Sequence, residues 1–581
     1  MNAVTPPDEL APLEALRLVN VVGGEMGCQT RLGWREWCTG LAGLASNEVR
    51  SVIPFTGTRT DGSSNKLFAA TQVGIYDCTT QGVLGAPLVS FVTTIGDAGY
   101  VASVAVTTQA GGFLMACDEA NGLYRYSEPA VAWTRVPAGT TVAWANATAY
   151  QVGDRVVNGG NVYVCDTAGT SAVAPATGPS GTGANIVDGS TRWDYVSASV
   201  TGAIGPSLAD QRAGLSLDPA NLVFAAVWKS RVWLVERNTT RAWYLEAGAV
   251  AGTANSFDFG AKMSKGGALV GLWNWSYDNS GGMETLLVGV SSAGDVVIYQ
   301  GTDPASASTF GIKGCWSVGG LPKGRRIATD FGGEMLLLST LGSVPLSKLV
   351  VGAEGGEQYQ TQRIQPIFNQ AVAYSGHLLG WSMVLHPNDN TLLVLVPAPG
   401  GQEPYQLAMS FATKGWSVYE DLPMFSAAVW QGLLYFGTTD GRVCVNDGAL
   451  DARLLSNPNS YSPITWKVLT GFRSLGQSNH KHPVLARVSL KTGSILPVVQ
   501  VTARYDFDTT EPDAPVGLPG GSGWDVDRWD VGLWSGELPP QLPQRGVVGV
   551  GRDVALWLMG NVTSRTTLIG VDLYMENGGV W

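Results

Sequence analysis

One small unit recurs along this chain, and its recurrence limits the fold more than any other feature. It is an apolar strand, a turn of glycine or small polar residues, then a second strand carrying apolar or aromatic residues. The copies are KLFAATQVGIYDCTT (66–80), GGFLMACDEANGLYRYSE (111–128), SRVWLVERNTTRAWYLE (230–246), ETLLVGVSSAGDVVIYQG (284–301), EMLLLSTLGSVPLSKL (334–349), NTLLVLVPAPGGQEPYQLAMSF (390–411) and GLLYFGTTDGRVCVND (432–447). Turns such as NG, AGD and TDG favour tight hairpins, because glycine reaches positive φ without steric cost. A second phrase accompanies some copies: Trp133 in WTRVPAG, Trp316 in CWSVGGLPKG and Trp416 in GWSVYEDLP. A proline follows each, as expected where a strand ends.

The turns centre near Gly74, Gly122, Thr240, Gly294, Gly342, Gly400 and Gly441, with successive gaps of 48, 118, 54, 48, 58 and 41 residues. Taking out the 56 residues from Val142 to Ser197 shortens the long gap to 62. A period of roughly 40–50 residues with several short strands per unit is the signature of propeller blades. A blade cannot bury both faces of its sheet alone, so it stacks on neighbours around an axis. The chain therefore reads as all-β, with a β-propeller of about 6–8 blades over 46–141 and 198–455. An inserted β-module occupies 142–197. Residues 1–45 read as a Pro-rich N-terminal arm that either completes the ring or reaches a neighbouring subunit, and 456–581 as a sandwich-like C-terminal β-domain.

Composition agrees. Glycine accounts for 75 of 581 residues and charged residues for 14%, against a typical charged share of about 25%. Long amphipathic helices need more charge than that. The net charge of −11 argues against tight wrapping by nucleic acid, which needs Lys and Arg to neutralise phosphate. It leaves room for a surface that DNA slides past. The N-terminal sequence lacks the basic and apolar regions of a signal peptide, and no apolar run reaches the ~18 residues of a membrane span. The expectation is a soluble protein made in a reducing cytoplasm, with Cys28, Cys38, Cys78, Cys117, Cys165, Cys315 and Cys444 as buried thiols.

No catalytic constellation, metal site or cofactor is expected. GxSxG and GxxxxGK[ST] motifs are missing from the sequence. His480 and His482 would share one face of a strand, but no further ligand follows at useful spacing, so they read as a polar turn. Lys323, Arg325 and Arg326 in GGLPKGRR could touch phosphate, yet read as a solvated turn between blades. Asp506, Asp508, Glu511, Asp513, Asp525, Asp527 and Asp530, with Trp524, Trp529 and Trp534 nearby, read as an acidic surface loop and not as a glycosidase pair.

The insert carries Trp144, Tyr150, a GDRV run (153–156), Gly159-Gly160, Tyr163, Trp193 and Tyr195. It resembles the small chitin- and cellulose-binding modules appended to glycosidases, and similar modules of phage tail proteins. That resemblance implies carbohydrate binding through Trp144, Tyr150, Tyr163, Trp193 and Tyr195, since apolar sugar faces pack on flat aromatic rings. The same aromatics could equally be the core of a tiny domain.

The phrases RLGWREWCTGL (31–41), VRSVIPFTG (49–57) and KLFAATQVGIYDCTT (66–80) resemble the tail nozzle, or tail tubular protein B, of short-tailed bacteriophages. Related hubs are described as packaged-DNA stabilisation proteins. The resemblance implies a homohexameric ring in the virion, below a tail adaptor, that retains packaged DNA, forms its exit channel and carries fibres or spikes. The module would then point outward toward host cell-surface glycan. The alternatives are a propeller lectin or receptor-binding protein and, less favoured, a glycan-cleaving enzyme.

Overall fold

A computed structural model describes the chain except residues 12–13, 25, 44–46, 280–281, 352–358, 400–401, 476–478, 494–497, 514, 516–541 and 578–581. Its centre is a β-propeller. Among the described residues the innermost strands of the seven blades are Ser51–Phe55, Val101–Thr108, Leu222–Trp228, Leu269–Asn279, Ala328–Phe331, Ser382–His386 and Ser426–Trp430. Neighbouring blades touch around the whole ring, and the seventh packs back on the first.

Each recurring hairpin in the sequence supplies the second and third strands of one blade. Second strands have neighbouring blades over both faces, so they read as unbroken apolar runs. Val232–Val235 and Leu392–Val394, for example, are all 0% exposed. The Trp133, Trp316 and Trp416 phrases fall on the fourth strands of blades 2, 4 and 6. At Gly294 (φ +89°) the hairpin turn runs against the next segment, and a Cβ there would lie 1.5 Å from the Gly319 carbonyl oxygen. Only glycine fits. Among the described residues blade 5 has three strands, followed by the helices Leu346–Val351 and Gln365–Ser375.

Closure involves the start of the chain. Gly33–Thr39 runs antiparallel to Val443–Gly448 and forms the fourth strand of blade 7. The expected arm thus completes the ring. Its earlier part goes elsewhere: Ala15–Val19, Val21–Gly24 and Gly27–Thr30 belong to the C-terminal sandwich. One layer of that sandwich continues the sheet of blade 6, because Val19 pairs in parallel with Val418 and the strand then pairs with Ile464–Thr470. The other layer is Val21–Gly24, Gly27–Thr30, Thr567–Asn577, Lys481–Lys491 and Gln544–Gly546. Leu18, Val21, Trp466, Val488, Leu490 and Leu556 share one core between the layers. Both chain ends therefore build the C-terminal unit.

Five cysteines are buried as expected, but Cys28 is half-buried and Cys315 exposed; all seven are free thiols. Cys38, on the closing strand, accepts close packing from blade 1, with its Sγ 3.3 Å from the Thr80 carbonyl oxygen and 3.9 Å from that of Cys78.

The module leaves the ring between blades 2 and 3. Its two connecting segments run side by side, with Ala138 bridging Ile204 and the Gly139 N–H donating to the Ile204 carbonyl at 3.2 Å. An insertion whose ends meet at a surface edge costs the core little. Replacing 142–197 by a short Gly-Ser linker should leave the propeller folded, with thermal unfolding within a few degrees of the full chain. Calorimetry that shows loss of the main cooperative transition would contradict this.

Candidate functional site

Two places are candidates for a functional site. The first is the module. A four-stranded sheet, Arg155–Asn158, Asn161–Thr167, Thr191–Ala198 and Ile186–Asp188, is joined by the small pair Ala149–Tyr150 and Gly169–Thr170. Tyr150, Tyr163 and Trp193 are 2%, 1% and 0% exposed and form its core with Val156 and Cys165. The Tyr150 and Trp193 rings meet edge to face at 4.9 Å. Three of the five expected sugar-binding aromatics are thus enclosed by protein. Trp144 and Tyr195 are half-buried and keep some ring surface in solvent. One face of Trp144 is covered, since a Cβ added at Gly178 would stand 2.6 Å from the indole.

Asp188, absent from the sequence-based set, organises these aromatics. Its carboxylate accepts from Trp144 Nε1 at 2.7 Å, Trp193 Nε1 at 3.0 Å and the Ala172 N–H at 3.0 Å. The only sequence signal is a DG turn beside a tryptophan. The GDRV run has a fastening role: Asp154 accepts from the Gln151 N–H at 2.8 Å and pairs with Arg212 at 2.5 Å. Arg212 ends the short helix Leu208–Arg212, just beyond the module, and Leu208 packs on the module core. This holds the module to the ring by a charge-assisted contact.

The second place is the propeller axis. A chamber of about 510 Å³ lies between the innermost strands of all seven blades, with Pro54, Ala105, Ala226, Trp273, Thr329, Met383 and Ala428 among its walls. At the end where these strands begin, charged side chains reach across it. Arg325 pairs with Glu119 of blade 2 at 2.5 and 2.8 Å and donates to the Val270 carbonyl of blade 4 at 2.6 Å. Arg326 donates Nε and Nη2 to the Val101 carbonyl of blade 2 at 3.1 and 2.6 Å. Tyr100 and Phe425 close the same end, 6.4 Å apart. The expectation of a solvated turn holds for Lys323, which meets Asp97 at 3.5 Å on the surface. It fails for Arg325 and Arg326, because an innermost strand starts at Ala328 and turns the preceding residues toward the axis.

The remaining polar clusters singled out in the sequence make ordinary contacts. His482 sits 3.5 Å from Glu576 at the surface, and among the described residues no group of three or more His, Cys, Asp or Glu side chains could hold a metal. Glu511 pairs with Lys467 at 2.6 Å and Arg17 at 3.3 Å. Asp506 accepts from the Arg552 and Asp553 N–H groups at 2.8 and 3.1 Å. Trp524, Asp525, Asp527, Trp529, Asp530 and Trp534 lie outside the described residues. Among the described residues no helix is long and apolar enough to cross a membrane.

The architecture is that of an all-β propeller protein carrying an inserted β-module and a β-sandwich. No protein-family profile matches the sequence, and no curated protein matches it. Among solved structures the chain is similar to the computationally designed Ika8 protein, at 10% identity and a TM-score of 0.31, over 71% of this chain and 98% of that one. It is also similar to the β-propeller domain of Myceliophteria thermophila Cps50 (Swd1), at 10% identity and 0.25, over 69% and 96%. A third is BBS1N in complex with ARL6DN, at 10% and 0.26, over 72% and 98%.

Proposed function

We propose that this chain is a nozzle subunit of a short bacteriophage tail, assembling as a homohexamer beneath a tail adaptor. The reading is carried by the nozzle-like phrase RLGWREWCTGL, whose residues do the joining in this fold. Gly33–Thr39 closes the ring, and Arg31 ties it to the sandwich through Asn20 and Asp451 at 2.9 Å or less. The propeller axis, blocked by Arg325, Arg326 and Tyr100, is too narrow for a duplex. The DNA channel therefore lies between copies, and a net charge of −11 per chain lets DNA slide and not stick. Native mass spectrometry of the purified chain, alone and with the adaptor, tests this: a sixfold species supports it, and monomer under both conditions contradicts it.

The outward module supports a second role, contact with host-surface glycan. Burial of Tyr150, Tyr163 and Trp193 restricts the stacking surface to Trp144 and Tyr195. Tyr195→Ala should weaken binding to chitin or cellulose oligosaccharides by about 1 kcal/mol, roughly fivefold, in a glycan-array or calorimetric titration. Equal binding by the variant, or none by the parent, removes this role and leaves the nozzle reading intact.

A further inference from the structure

The axial chamber has the size of a ligand pocket. Small-molecule sites span about 300–1,000 Å³, mostly apolar, with a few placed polar groups. This one measures about 510 Å³, and its walls mix alanine and valine side chains and the rings of Phe224 and Trp273 with the polar Ser103, Asn274 and Thr329 and the charged Arg325, Arg326 and Asp330. One end is blocked and cationic.

The cations at that end are not equivalent. Arg50 is paired with Glu48 at 3.1 Å, Lys323 with Asp97 at 3.5 Å and Arg325 with Glu119 at 2.5 Å. Arg326 meets no carboxylate; its hydrogen bonds go to one carbonyl, that of Val101. A guanidinium has five N–H donors in a fixed planar fork. The Val101 carbonyl takes the Nε/Nη2 edge, which leaves the Nη1/Nη2 edge, the one that grips an oxyanion with two parallel hydrogen bonds. Arg326 lines both the large chamber and the small cleft of about 40 Å³ beyond it.

A half-buried charge without a counter-charge is unfavourable, and desolvation lowers the guanidinium pKa to about 10. Asp330 is the one acid lining the chamber among the described residues. It sits four positions further along the chain and forms no ion pair with Arg326.

We propose that the axial chamber binds a small oxyanion, a free carboxylate or phosphate compound, with the Nη1/Nη2 edge of Arg326 as its anchor. The site is independent of the tail reading, since it lies within one copy. Calorimetric titration of the full chain with inorganic phosphate and with citrate, in a buffer free of other oxyanions, tests it. One of the two should bind saturably with one site per chain, and Arg326→Met should weaken that binding at least tenfold. Lys323→Met, which removes an exposed cation beyond the chamber, should leave it unchanged. No saturable binding of either anion by the parent overturns the proposal. So does binding that survives Arg326→Met, or Arg326→Gln if the first variant does not fold. Weakening by Lys323→Met equal to that by Arg326→Met points to nonspecific attraction and also overturns it.

Discussion

Arg31→Met should lower the unfolding free energy by about 3–5 kcal/mol, the usual cost of breaking a buried ion pair from one side. The Arg31 side chain is 1% exposed and that of Asp451 8%, and the guanidinium grips the carboxylate with two bonds of 2.9 and 2.7 Å. Its Nε donates to Asn20 Oδ1 at 2.9 Å and its Nη2 to the Glu420 carbonyl at 3.3 Å. Asn20 stands at φ 56° in the turn between two sandwich strands, and donates to the Thr465 carbonyl at 2.9 Å. One side chain thus joins the sandwich, the end of blade 6 and the segment after blade 7. Methionine would leave the Asp451 carboxylate enclosed without a partner. The paired change Arg31→Met with Asp451→Leu should be less damaging than Arg31→Met alone, because neither charge then remains. Denaturant unfolding of the three variants checks both statements. A loss below about 1 kcal/mol, the range of exposed pairs, would contradict the first.

Trp233→Ala should cost a similar amount, about 3–5 kcal/mol, for a different reason. Trp233 lies on the second strand of blade 3 and is 0% exposed. Its ring centroid is 4.9 Å from Tyr244, 6.1 Å from Phe257 and from Phe259, and 6.4 Å from Phe310 of blade 4. Phe310 in turn stacks on Tyr299 at 4.9 Å. Truncation opens a cavity in this seam between blades. The indole Nε1 has no hydrogen-bond partner, so the loss is one of packing, and Trp233→Phe should recover more than half of it. Equal losses for Ala and Phe would show that the seam does not depend on ring volume.

These two positions also show what a sequence can and cannot reveal. Trp233 sits in one of the repeated hairpins, which were legible because a strand covered on both faces is apolar at every position. Their count matches the blades, including blade 5, where helices follow the third strand. Ring closure was legible only as one of two fates of the N-terminal arm, with neither the strand nor its partner identified. Gly33–Thr39 pairs with a strand some 400 residues away, and such pairing leaves no local signature. It also carries Glu36, a buried acid whose partner, Arg442 at 3.0 Å, likewise lies some 400 residues away in the sequence. Within the module, composition marked the aromatics, but Trp193 and Tyr195 lie two apart on one strand and share a face, so only the surrounding packing separates the fully buried Trp193 from the half-buried Tyr195. Arg326 read as a solvated turn residue, because nothing local reveals that the next strand begins at the propeller axis.

The most direct test is electron cryomicroscopy of the purified chain, with and without the adaptor. The account predicts sixfold rings whose lumen runs between subunits and is wide enough for a duplex. Each subunit should show a seven-bladed propeller with Gly33–Thr39 lying on Val443–Gly448. Monodisperse single propellers under both conditions would contradict the nozzle assignment, and a density map with Gly33–Thr39 detached from blade 7 would contradict the closure on which it rests.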